Sequence, residues 1–251
     1  MRVAFVGKGG VGKSSIAGTF ARLLGATGTR VLALDSDPMP GLAYSLGVPA
    51  LDAGIPDEAV EPFERDGRRG FRLRDGLTAE DVVERYAVRA PDGVHFLQLG
   101  KARGPRWNNS AQHAAFQQVL NGLPAGDWSV VGDLPGGTRQ PFQTWGRYAS
   151  TVLVVVEPTP ASILTGRRLA RLEQAKSSPR VLAVASKTHD GGDADRVSAG
   201  TGLPVLGAVP VDPAVTAADQ AGAAVLDRNP DSPYVEAVRS LVQSLSSAED
   251  S

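Results

Sequence analysis

Short β-branched runs alternate with helically spaced apolar positions along this chain, a pattern that predicts a parallel sheet with crossover helices. The runs Arg2–Val6, Arg30–Asp35, Gly93–Leu99, Trp128–Asp133, Thr151–Glu157, Arg180–Ser186 and Pro204–Val209 are almost continuously apolar. Strands need that composition when helices cover both faces and neither side meets water. Between the first two runs, Ile16, Phe20, Leu23 and Leu24 recur at helical spacing until Gly25-Ala26-Thr27-Gly28 stops the helix. Val235, Val238, Leu241, Val242 and Leu245 form a similar stripe, read as a closing helix packed on the core. The expected fold class is α/β, a mostly parallel sheet with helices on both faces, in one domain over 1–251. From about Pro38 to Pro91 the rhythm breaks into Pro, Gly and charge, with one helical pattern at Thr78–Tyr86. That stretch reads as an irregular insertion.

Composition narrows the chemistry. A chain of 251 residues can bury one substantial core, and a net charge of -1 argues against coating nucleic acid by bulk electrostatics. Cysteine is absent. That excludes a disulfide framework, a thiol nucleophile, thiolate zinc and a cysteine-held iron–sulfur cluster. The histidines, His95, His113 and His189, are scattered, so a metal site of protein ligands alone is not expected. No apolar run approaches ~20 residues, the N-terminal strand reaches glycine too early for a signal-peptide core, and the last helix ends acidic where a membrane-surface helix would be basic. The expected location is cytoplasmic, with no membrane partner.

The stretch Val6–Ser15, VGKGGVGKSS, carries the strongest chemical signal. Gly7, Gly12, Lys13 and Ser14 satisfy G-x-x-x-x-G-K-[ST] directly after a strand and before a helix. Glycines let backbone N–H groups curl around phosphate oxygens, and the helix N-terminus adds its positive dipole end. Lys13 is suited to neutralise the β- and γ-phosphates, and the Ser14 hydroxyl to ligate Mg2+. Such a single-domain P-loop NTPase needs one lysine in the loop. Lys8 is a second.

Here the chain resembles the MinD/ParA family of deviant Walker ATPases, whose loop reads K-G-G-x-x-K-[ST]; Lys8-Gly9-Gly10-Val11-Gly12-Lys13-Ser14 matches it in full. The resemblance implies that Lys8 reaches across a face-to-face homodimer to phosphates bound by the other subunit, and that Gly7 to Ser15 cradle the nucleotide. It extends to Asp35-Ser36-Asp37-Pro38, like the family's first switch, and to Asp133-Leu134-Pro135-Gly136-Gly137, like its second. By that likeness Asp37 orients the attacking water and Asp35 supports the magnesium site. Asp133 holds Mg2+ through water, and Gly137 offers its N–H to the γ-phosphate.

Guanine readers of the wider superfamily use N-K-x-D. This chain has Ser186-Lys187 there, with Asp190 one residue too far along, so ATP is the expected nucleotide. The family's adenine pocket uses an Asn at this point, from which Ser186 departs, and a segment like Val209–Val215, which Pro210, Val211 and Asp212 fit. Ser186, Lys187, Pro210, Val211 and Asp212 are therefore the implied base contacts.

Asp92–Lys101 and Val152–Leu172 look most like the accessory ATPases of carbon monoxide dehydrogenase maturation, with nitrogenase iron protein more distant. Those relatives hold a metal or cluster through cysteines in a region that here reads GPRWNNSAQ, Gly104 to Gln112. Trp107, Asn108 and Asn109 suit either a partner-binding surface or a capped helix start. Arg167, Arg168 and Arg171 share one helical face, and Arg65, Arg68, Arg69, Arg72 and Arg74 crowd one stretch, but acids interleave with the latter. Nucleic-acid or cargo partitioning is thus the alternative, not the favoured reading, and a regulator with negligible turnover is a third. The favoured expectation is an ATP-dependent switch: Mg·ATP closes a homodimer, hydrolysis opens it, and a protein partner reads the difference.

Overall fold

The computed structural model describes residues 1–37, 41–49, 54–65, 67–99, 109–136, 147–173 and 179–249. The strands, in chain order, are β1 (Arg2–Gly7), β2 (Val31–Asp35), β3 (Val60–Arg65), β4 (Arg68–Leu73), β5 (Val88–Arg89), β6 (Val94–Gln98), β7 (Ser129–Asp133), β8 (Thr151–Val156), β9 (Arg180–Thr188) and β10 (Val205–Pro210). Eight of them form one sheet in the order β10-β9-β8-β1-β7-β2-β6-β5. All neighbours run parallel except β5, which pairs antiparallel with β6 at the edge.

The helices are α1 (Lys13–Gly25), α2 (Leu42–Leu46), α3 (Ala79–Tyr86), α4 (Asn109–Gly122), α5 (Pro160–Glu173), α6 (Gly192–Thr201), α7 (Pro213–Gln220), α8 (Val225–Arg228) and α9 (Pro233–Glu249). Alternate residues of each strand feed two cores. Val3, Phe5, Val131 and Val155 meet Ile16 and Phe20 of α1 and Val238 and Leu241 of α9 on one face. Ala4, Val6, Val130 and Val154 meet Val82 of α3, Phe116 of α4 and Leu169 of α5 on the other. Two buried faces explain the unbroken apolar runs, and α9 covers the core as its stripe predicts. Among the described residues no helix is long and apolar enough to cross a membrane.

The stretch expected to be irregular is more ordered than its composition suggests. Its described residues include α2, α3 under a Thr78–Asp81 capping box, and the antiparallel hairpin β3–β4. Cross-strand register sets Glu61 against Arg72 and Glu64 against Arg69, and both pairs form ion pairs. Charges that read as a solvated loop are ladder partners.

Strand order locates the site. The chain passes from β1 to β2, later inserts β7 between them, then crosses to β8 on the far side of β1. Ligands of open α/β sheets bind where strand order reverses, outside the carboxyl ends of the strands. Here those ends carry Gly7, Asp35 and Asp133.

Candidate functional site

β1 delivers the loop, and close packing dictates its first glycine: a Cβ on Gly7 would fall 2.6 Å from the Val155 carbonyl oxygen. Gly10 and Gly12 both sit at φ 84°, a left-handed conformation that suits glycine. Gly12 precedes α1, and its carbonyl accepts the Ile16 N–H at 3.0 Å. Lys8, Gly9 and Gly10 are exposed while Val11 and Lys13 are buried. The loop thus presents one lysine outward and draws the other in.

β2 and β7 are neighbours in a register that sets Asp35 directly beside Asp133. Both carboxylates are fully buried. Asp133 accepts from the Lys13 ammonium on one oxygen and from the Ser14 hydroxyl on the other. Asp35 accepts three backbone N–H groups, from Asp37, Gly41 and Leu42, each at 3.0 Å. Those bonds hold Asp37, half-buried, and the N-terminal end of α2 beside the strand end. Burial pushes the Asp35 carboxyl up to about 6, with Asp133 next to it adding to the rise and the N–H donors opposing it. Burial also raises Asp133, against the pull of Lys13.

Two buried carboxylates facing one lysine leave negative charge in excess. Together with the Ser14 hydroxyl, an oxygen-rich, acidic corner of this kind fits Mg2+ held jointly with a phosphate. Among the described residues no cluster of three or more His, Asp or Glu could hold a metal ion without a substrate. Two further glycines close the corner. A Cβ on Gly41 would meet Ser14 Oγ at 3.5 Å, and one on Gly136 would meet the Gly7 carbonyl oxygen at 3.5 Å and the Gly9 nitrogen at 3.6 Å.

A strand–loop–helix with a lysine-bearing glycine loop, flanked by two strand-end aspartates, is a phosphate site. Residues 3–225 match CbiA, the CobQ/CobB/MinD/ParA nucleotide binding domain. The chain belongs to that family. Members of the MinD/ParA type are ATPases, and so is this protein. It is 30% identical over 244 residues to the carbon monoxide dehydrogenase accessory protein CooC of Rhodospirillum rubrum, spanning 92% of this chain and 91% of that one. Its fold is similar to MinD of Pyrococcus horikoshii OT3 complexed with Mg-ADP (TM-score 0.70, 19% identity, 97% of this chain and 95% of that one). It is also similar to a ParA family ATPase from Chlorobium tepidum TLS (TM-score 0.74, 17% identity, 96% of this chain and 97% of that one).

Seen in a MinD/ParA-type ATPase, the residues expected at the base have other bonds. Ser186 is buried, and its hydroxyl donates to the Val11 carbonyl at 2.8 Å. Lys187 donates to the Gly10 carbonyl at 2.7 Å and pairs with Glu157 at 2.6 Å. Asp212 caps α7 through Ala214 N–H at 2.9 Å and also accepts Tyr234 N–H, at the start of α9, at 3.1 Å. Val211 is half-exposed beside Pro210. Asp190 turns the chain into α6 by accepting Gly192 N–H at 2.8 Å.

Gly136 lies within the second switch motif, whereas Glu157 and Gly41 also line the site but carry no mark in the sequence beyond standing at a strand end or shortly after a switch motif. Gly137, Pro38, Trp107 and Asn108 lie outside the described residues. Of the arginines, Arg69 and Arg72 pair across the hairpin, Arg74 donates to the Glu58 carbonyl, and Arg167 donates to the Gly200 carbonyl near the end of α6. On the hairpin each of Arg69 and Arg72 therefore stands beside a carboxylate, which lowers the net positive charge of that face.

Proposed function

We propose that this ATPase works as a nucleotide-timed homodimer that controls a protein partner in an accessory or maturation role. The observation that carries the reading is the division between the two loop lysines. Lys13 is buried against Asp133, whereas Lys8 is exposed and, among the described residues, engaged by no hydrogen bond or ion pair. A cation held outward at the rim of a phosphate loop is suited to meet phosphates bound by a second copy. The accessory role is supported by the likeness to the CooC accessory protein. With no cysteine in the chain, a metal cargo held by thiolates is not part of the proposal.

In this mechanism the loop N–H groups from Gly9 to Ser15 and the Lys13 ammonium grip the phosphates of ATP. Ser14 and, through water, Asp133 would hold Mg2+, with Asp35 behind them; when bound, the ion would supply neutralisation of the negative charge on the phosphates. Asp37 aligns a water in line with the γ-phosphorus. The water oxygen bonds to phosphorus as the bond to the β–γ bridging oxygen breaks; ADP leaves with the electron pair, and the water's proton ends on the product phosphate or in solvent. The base lies toward Pro210 and Val211, and adenine is favoured because Asp190 stands one residue beyond a guanine-reading position.

Three substitutions separate the steps. Lys13→Ala is expected to weaken nucleotide binding by at least tenfold, and Lys8→Ala to keep most of that affinity while losing Mg·ATP-dependent dimerisation and turnover. Asp37→Ala is expected to bind ATP and accumulate as a dimer. Light scattering on size-exclusion chromatography, paired with phosphate release, measures all three. If Lys8→Ala dimerises and hydrolyses like the unaltered protein, the homodimer reading is wrong.

A further inference from the structure

β9 does not end as a regular strand. Ser186 pairs with Val209 and Thr188 pairs with Pro210, so Lys187 is an extra residue bulged out of the β9–β10 ladder. Its φ is 54°, a left-handed conformation rarely held by a lysine. Bulges of this kind stand beside active sites and re-aim a side chain. This one sends the Lys187 ammonium to the Gly10 carbonyl, 2.7 Å away. Glu157, just past β8, grips the same ammonium at 2.6 Å. Glu157 is itself held, its backbone N–H donating to Ser162 Oγ of α5 at 3.0 Å. One residue earlier in β9, Ser186 takes the next carbonyl of the loop, that of Val11, at 2.8 Å.

The consequence follows from peptide geometry. In a planar trans peptide the C=O of one residue and the N–H of the next point in opposite directions. Drawing the Gly10 and Val11 carbonyls toward β9 therefore turns the Val11 and Gly12 N–H groups the other way, toward the anion. Successive N–H groups so aligned make a phosphate nest. We infer that Lys187, braced by Glu157 and assisted by Ser186, is a positioning residue that sets the phosphate nest of the loop from behind and does not read the base.

This inference rests on the Mg·ATP reading of the site, and the two can fail separately. Lys187 is about half exposed, and exposed ion pairs add little to fold stability. Loss of the strut is therefore expected to leave the nucleotide-free protein folded and to appear only in anion binding. The probes are a fluorescent ADP analogue with Mg2+ and tripolyphosphate as a baseless competitor. Lys187→Met is expected to weaken both by about tenfold, the scale of one charge-assisted hydrogen bond. Lys187→Arg is expected to recover most of that loss, and Glu157→Gln to weaken both probes by a few fold. The nucleotide-free melting temperature stays near that of the unaltered protein. Should Lys187→Met fail to fold, Glu157→Gln against both probes carries the test. A loss confined to the ADP analogue, with tripolyphosphate unaffected, would make Lys187 a base contact and overturn the inference. So would undiminished binding of both probes. Failure of the unaltered protein to bind either probe would overturn the nucleotide reading along with it.

Discussion

At Gly132 a methyl group would lie 1.8 Å from the Tyr148 hydroxyl and 3.0 Å from the ring carbon that bears it. Gly132 is the residue before Asp133, and Tyr148 is buried, with its hydroxyl 3.5 Å from the Val3 carbonyl oxygen. The pair ties the strand that supplies the buried carboxylate to the segment that follows the second switch. Gly132→Ala is expected to destabilise by about 1–3 kcal/mol, the usual cost of overpacking a filled core. Tyr148→Phe removes the nearest atom, so in that background the same alanine is expected to cost measurably less. Urea unfolding of the two single variants and the double variant forms the cycle. Strict additivity would show that the two residues do not press on each other. Nothing in the sequence singles out Gly132, because its neighbour across the core lies 16 positions away.

The hairpin β3–β4 shows how an element can be held by one side chain. Gln118 of α4 accepts the Leu73 N–H at 3.0 Å and donates to the Phe71 carbonyl at 3.2 Å. Its amide thereby stands in for a neighbouring strand along β4. Gln118→Leu would keep the bulk of the side chain and strip both bonds. Leaving part-buried backbone groups unpaired is expected to cost about 1–2 kcal/mol. Amide exchange at Leu73 is expected to accelerate while exchange in β1 and β7 is unchanged. Equal protection at Leu73 in both proteins would mean that the cross-strand pairs Glu61–Arg72 and Glu64–Arg69 suffice. The hairpin was not foreseen from composition because its arginines and glutamates find one another only after the chain folds back. The Asp66-Gly67 dipeptide was its one local signal.

For the whole molecule, acid acts in two opposed ways. Burial, with Arg89 nearby, lowers the His95 pKa below 6.5, and Glu84 at 3.8 Å offsets that only in part. The ring packs edge-on to Trp128, which Arg30 covers at 4.1 Å. Below 6.5 the unfolded chain takes up a proton at His95 that the native protein refuses, so this group withdraws stability as pH falls. Asp35, raised to about 6, does the reverse. Between about 4 and 6 the nucleotide-free native state holds a proton there that the unfolded chain lacks, so this carboxyl adds stability as pH falls. His95→Phe isolates the first contribution. The stability of the variant relative to the unaltered protein is expected to be level from pH 8 to about 7 and to rise from there to pH 5 in denaturant titrations. A difference that does not change with pH would assign the acid response elsewhere.

The sequence alone determined the parallel α/β architecture, the positions of the seven parallel strands, the phosphate loop and its family. Each of those is written in local terms: β-branched runs, helical spacing, and glycines and lysines at set intervals next to a strand. Tertiary structure decided which groups remain available for chemistry. Asp35 beside Asp133 depends on strand register, and the turning of Ser186 and Lys187 to the loop carbonyls depends on a bulge opposite β10. The use of both Asp212 oxygens as helix caps depends on α9 arriving 22 residues later. A polar side chain near a site spends its hydrogen bonds on whatever the fold brings within 3 Å or so, and that choice is not encoded by its neighbours in the chain.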